Sequence, residues 1–146
     1  MQIKVEIDSN CKETEIVIRT DKMTDEINDV VQKLSAAQQK LIAGYTGEEI
    51  QLLDTTEIIR FYTSNQKVFA QTISSEFAVR LRLYELEERL DKTLFVRVSN
   101  SEIVNLKAIR KIDLSFTGTI CVILSNGTTT YVSRRYVTKI KQVFGI

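Results

Sequence analysis

The sequence predicts a mainly β fold with a few short helices, α+β overall, on three observations. Short apolar runs of strand character recur along the chain, at residues 58–62, 68–73, 95–98 and 120–124. Turn chemistry separates them, most clearly at Asn126-Gly127. Apolar residues at helical spacing are confined to three short segments.

Taken in order, Ile3, Val5 and Ile7 alternate with polar residues, and Ile16-Val17-Ile18 forms a second β-like run, so two strands are expected. Thr24 stands as a helix N-cap, with Asp25 and Glu26 in the first turn and Ile27, Val30, Val31 and Leu34 on one face. Residues 1–40 therefore read as a β-β-α extension ending in the polar, Ala-rich stretch 35–40, and residues 41–146 as the main domain. Leu41-Ile42-Ala43 and Ile50-Gln51-Leu52-Leu53 flank Gly44 and Gly47, where a turn is expected. Residues 63–67 read as a polar hairpin tip. Phe77, Val79 and Leu81 alternate as in a strand, and Leu83, Leu86 and Leu90 then fit a short amphipathic helix over 83–91. Strands follow at 95–98, 109–114 and 120–124. Asn126-Gly127 is expected to close a hairpin through a type I′ turn, with φ above zero at both residues. Tyr136, Val137, Ile140, Val143 and Phe144 share one face of a closing helix.

Composition narrows the function. The chain has 146 residues, enough for one domain with a short extension. It has no histidine, which removes histidine acid–base chemistry, the usual nucleophile triads and most zinc sites. Cys11 and Cys121 share no metal-ligand spacing and read as reduced thiols. The five glycines form no phosphate-binding loop. The carboxylate pairs Glu48-Glu49 and Glu87-Glu88 read as solvated faces, so neither an enzyme nor a cofactor is expected. The opening residues alternate apolar and charged, unlike a signal peptide, and no apolar run reaches the roughly 18–20 residues of a membrane span. A cytoplasmic location is expected. Charge is segregated: residues 1–57 hold 6 basic and 12 acidic side chains, whereas residues 92–146 hold 9 and 2. An anionic partner for the basic end is one reading, and a solvated basic face is the other.

Three polar places stand out. The tip Thr63-Ser64-Asn65-Gln66-Lys67 is a solvated turn that could also reach base edges or phosphates. In Arg97-Val98-Ser99-Asn100-Ser101-Glu102, the last four residues match a capping box ahead of Ile103-Val104; alternatively, Asn100 presents an amide suited to adenine N6 and N7. Ser133-Arg134-Arg135-Tyr136 opens the last helix with two arginines where the helix dipole favours anions, which suits pairing with guanine or phosphate.

In this order and spacing, several segments resemble the LytTR family of bacterial DNA-binding domains. They are residues 58–62, the run Phe95-Val96-Arg97-Val98-Ser99-Asn100-Ser101-Glu102-Ile103-Val104-Asn105-Leu106, the Asn126-Gly127 hairpin and Tyr131-Val132-Ser133-Arg134-Arg135-Tyr136-Val137. The resemblance covers about residues 44–146. It implies an elongated antiparallel β sandwich of three small sheets with no helix-turn-helix, whose loops enter the major groove of bent duplex DNA. It implies base-contacting roles for Lys67, Asn100 and Arg135. Gln66, Ser99 and Ser101 lie in the same loops, and Arg134 would contact phosphate. Only about 40 residues precede the match, too few for the phosphoacceptor receiver that many members carry. The chain is similar to stand-alone LytTR regulators, for which the resemblance implies double-stranded DNA at paired direct repeats, a homodimer and a small membrane protein as partner. A protein-interaction module that titrates a sensor or regulator is the alternative, motivated by the acidic, amphipathic segment 1–36.

Overall fold

The computed structural model describes residues 1–38, 40–115 and 117–146. Position 39, inside the expected boundary 35–40, lies outside the described residues. The fold is mostly antiparallel β with three short α-helices. Helix α1 (Asp25–Gln38) comes first, then β1 (Leu41–Thr46), β2 (Glu49–Asp54), β3 (Arg60–Ser64), β4 (Lys67–Gln71) and β5 (Glu76–Val79). Helix α2 (Leu83–Arg89) leads to β6 (Phe95–Ser99), β7 (Glu102–Asn105), β8 (Ile109–Asp113), β9 (Ile120–Leu124), β10 (Thr129–Val132) and α3 (Arg134–Phe144).

Hydrogen bonding joins these strands into two sheets rather than the three that the resemblance implied. One has seven strands in the order β2-β1-β5-β4-β3-β7-β6, and the other has three, β10-β9-β8. The seam between β1 and β5 is a single register pair, Tyr45 with Ala78, so the β1–β2 hairpin is attached to the large sheet by little more than one bridge.

Strand alternation places two cores on opposite faces of the large sheet. Ile42, Leu53, Phe61, Ala70 and Ile103 face α2, whose Leu83 and Leu86 are buried with Leu90 and Phe95. Val96, Val98 and Val104 face the small sheet and α3, packing with Ile120, Val122, Leu124, Val132 and Ile140. Each fully buried aliphatic or Phe side chain contributes about 1.5–3 kcal/mol. Gly44 lies inside β1, paired with Gln51, rather than at a turn, and glycine is required there because a Cβ would sit 2.7 Å from Leu53 Cδ1 and 2.9 Å from Phe77 Cβ. The turn falls at the second of the two expected glycines, as Gly47-Glu48.

The extension departs from expectation. Neither Ile3-Val5-Ile7 nor Ile16-Val17-Ile18 forms a strand, and among the described residues only α1 is regular before residue 41. Alternation supplies a strand's side-chain pattern but not the neighbouring backbone that a strand must bond to. Ile3, Val5 and Ile7 are 87%, 80% and 97% exposed, so this segment does not cover the core. Helix α1 has the expected cap, with Ile27 N–H donating to Thr24 Oγ1 at 3.3 Å. Ile27, Val30 and Leu34 are half-buried, while Val31 is exposed.

Candidate nucleic-acid interface

The three polar places gather at one end of the large sheet. Strands β3 and β4 close through a two-residue turn, Asn65-Gln66, flanked by the pair Ser64 and Lys67. Both turn residues have positive φ, +50° and +63°, so this is the type I′ geometry whose twist matches a hairpin. Neither residue is glycine, and a left-handed Gln costs about 1–2 kcal/mol. The turn projects Gln66 and Lys67 into solvent.

Strands β6 and β7 close through Asn100-Ser101, with Ser99 paired to Glu102. No helix follows, so the capping-box reading is overturned: Glu102 opens a buried strand, and its side chain points away from the turn backbone to other partners. Asn100 and Ser101 are exposed. The register shifts between Arg97 and Ser99, a bulge that re-aims the turn. Ser99 Oγ accepts from Ser101 N–H and lies 3.2 Å from Ser101 Oγ. Arg97, nearly buried, donates from Nε to Ser99 O at 2.7 Å and from Nη2 to Asn100 O at 2.6 Å. Its Nη1 pairs with Glu87 Oε2 on α2 at 2.8 Å.

Two bonds tie the turns together. Thr63 N–H donates to Ser101 O at 2.9 Å, setting the β3–β4 tip beside the β6–β7 turn. The Tyr136 hydroxyl donates to Asn100 Oδ1 at 3.2 Å, bringing the start of α3 against the same turn. Ser133 N–H to Val98 O, 2.9 Å, seats the helix there. Arg135 is exposed, its Cζ 5.7 Å from the Tyr136 ring centroid. Asn100 and Arg135 therefore share one surface, with Ser99 and Ser101 beside them and Gln66 and Lys67 on the adjoining turn. Arg134 lies apart. Its guanidinium approaches Gly118, and with Lys141 and Thr119 it lines an open groove between α3 and the β8–β9 connection.

Ser133 occupies the N-cap position of α3 but makes no side-chain cap bond, and the first turn holds no acidic residue. The positive end of the helix dipole thus adds to Arg134 and Arg135, an arrangement that favours an anion.

Beneath the turn, Glu102 joins the two sheets. Its Oε2 accepts from Arg60 Nη1 at 3.2 Å and from Thr130 Oγ1 at 3.0 Å, while the buried Oε1 has no hydrogen-bond partner among the described residues. Burial pushes this carboxyl above its ordinary value, and the Arg60 charge and the two hydrogen bonds offset only part of that.

Arg97, Glu102 and Tyr136 stand within the polar places read from sequence, but none of these contacts is legible there; Glu87 reads as a solvated carboxylate, whereas it pairs with Arg97, and Arg60 is not marked as a partner. The available signal was Arg97 on the face of β6 that also carries the core residue Phe95, since a charge there requires a partner.

The fold and this surface define a β-rich domain that presents turns and one helix start, rather than a recognition helix, at its cationic end. The three α-helices are separated by strands, so no two form a helix-turn-helix among the described residues. The chain belongs to the LytTR family: the LytTr DNA-binding domain matches residues 48–145. It is similar along its whole length to Staphylococcus aureus proteins described as uncharacterized HTH-type transcriptional regulators. That of strain NCTC 8325 is 35% identical over 147 residues, covering 100% of this chain and 99% of the relative. That of strain MW2 is 36% identical over 147 residues, covering 99% of each. The LytTr DNA-binding domain of a Bacillus cereus protein shares the fold, with a TM-score of 0.70 at 20% identity, over 73% of this chain and 98% of that one. No described helix is long and apolar enough to cross a membrane.

Proposed function

We propose that this protein is a cytoplasmic transcription regulator that reads duplex DNA by placing two hairpin turns and the start of α3 in the major groove. The Tyr136–Asn100 hydrogen bond carries the reading, because it fixes Asn100 and Arg135 as neighbours on one exposed surface. Asn100 pairs with adenine N6 and N7, Arg135 with guanine O6 and N7, and Lys67 and Gln66 reach bases or phosphates from the adjoining turn. Ser99 and Ser101 contact the same strand, and Arg134 binds phosphate from the far side of α3. Paired direct repeats occupied by two protomers are the proposed target. Arg135→Ala is expected to weaken binding to a selected duplex by about 1–3 kcal/mol and to mixed-sequence DNA much less. Equal losses on both would reduce Arg135 to a phosphate anchor and remove its base-reading role.

Residues 1–40 form a separate extension to a DNA-binding domain at 41–146 in this proposal, and its exposed apolar side chains pair with a second copy of the chain. Deleting residues 1–36 should convert dimers to monomers in sedimentation velocity without unfolding the remainder. An unchanged monomer–dimer balance would remove the dimerisation role.

A further inference from the structure

We infer that Arg97 is a positioning residue for Asn100, a role that rests on the DNA-reading function proposed above. An arginine in mid-strand with a side chain only 11% exposed is costly unless its donors are used. Here each guanidinium nitrogen has a partner. Nε and Nη2 bind two successive carbonyls of the turn, Ser99 O at 2.7 Å and Asn100 O at 2.6 Å. Nη1 is anchored to Glu87 Oε2 at 2.8 Å, so α2 braces the turn through this side chain. A planar fork can hold two adjacent carbonyls in fixed relation; a lysine ammonium cannot. The clamp acts where it is needed, because the bulge between Arg97 and Ser99 interrupts the ladder that would otherwise hold the turn.

The Asn100 side chain is held separately, by the Tyr136 hydroxyl on Oδ1. Among the described residues nothing else binds this amide, so its Nδ2 hydrogens and one Oδ1 lone pair remain available, and that is the donor–acceptor pair adenine requires. Backbone and amide head are thus both ordered before any ligand arrives, which lowers the entropy lost on contact. Arg97 supplies the backbone half of that order without facing the groove itself.

The test uses the full chain, a duplex enriched from a random pool by the wild-type protein, and a mixed-sequence duplex of equal length. The measured quantity is the ratio of the two affinities, alongside each variant's melting temperature. Arg97→Lys should lower the ratio about tenfold and leave mixed-sequence affinity unchanged. Placed on an Asn100→Ala background it should lower the ratio no further, since its effect runs through Asn100. Glu87→Gln keeps the Arg97 charge and weakens only the anchor; it should give a smaller loss of the same kind, and it carries the test if Arg97→Lys does not fold. An unchanged ratio in the folded variants, or an equal fall with and without Asn100, would overturn the positioning role while leaving DNA reading intact. A wild-type protein that enriches no duplex contradicts DNA reading itself, and the positioning role with it.

Discussion

The β3–β4 and β6–β7 turns lie side by side, and both have two residues at the tip, yet they are held by different means. Asn65-Gln66 takes its shape from the backbone alone, with positive φ at both residues and strand pairing on either side. Asn100-Ser101 lacks positive φ, sits above a bulge, and is held by side chains arriving from elsewhere: Arg97 from within its own strand, Glu87 from α2 and Tyr136 from α3. The first turn is a local solution that stores strain, and the second is a tertiary one that borrows rigidity. A turn of the second kind can present one amide in one orientation, which suits base reading. A turn of the first kind can place a lysine near a phosphate with less precision.

This contrast can be broken at either turn. The larger effect is expected at the strained one. Gln66→Gly removes the left-handed penalty and should raise stability by about 0.5–1 kcal/mol, read as a higher urea midpoint with unchanged slope. A fall in stability would mean that the Gln66 side chain makes contacts outweighing its strain. The smaller effect is expected under the clamped turn, at Glu102, and shows mainly in its pH dependence. Because burial raises the folded-state carboxyl above its ordinary value of 4.5, its contribution to stability is present below that value and fades as pH rises through the raised one. Glu102→Gln, which cannot ionise, should therefore compare least well with wild type near pH ~4 and gain on it toward pH ~7 in thermal melts. A difference that runs the other way would show that the Arg60 ion pair outweighs the cost of burial.

The same two turns show what the sequence could reveal. The strands around them were legible because apolar periodicity is a property of the chain itself, and the exposed tips followed from their polarity. Turn type was not. Asn126-Gly127 carries the familiar hairpin pair, yet only Gly127 has positive φ, and the bond from Gly127 N–H to Leu124 O makes a three-residue loop with a glycine bulge. The type I′ turn formed instead at Asn65-Gln66, with no glycine to announce it. The capping-box motif at Ser99 was likewise a local pattern satisfied by a different local structure. The Arg97 clamp depends on where a bulge falls, and the Tyr136–Asn100 bond joins residues 36 positions apart, so neither has a short-range signature. The two expected N-terminal strands failed for the converse reason: their pattern is local, but pairing needs a neighbouring strand, and none of the described residues provides one.

In this proposal, two hairpin turns and the start of α3, separate in sequence, form one surface that grips a double helix. Titrating a selected duplex into 15N-labelled protein and following amide shifts tests it residue by residue. Shifts should concentrate at residues 65–67, 99–101 and 133–136 and saturate together. Shifts confined to the β1–β2 hairpin or to residues 1–38, with both turns and the start of α3 unmoved, would contradict it.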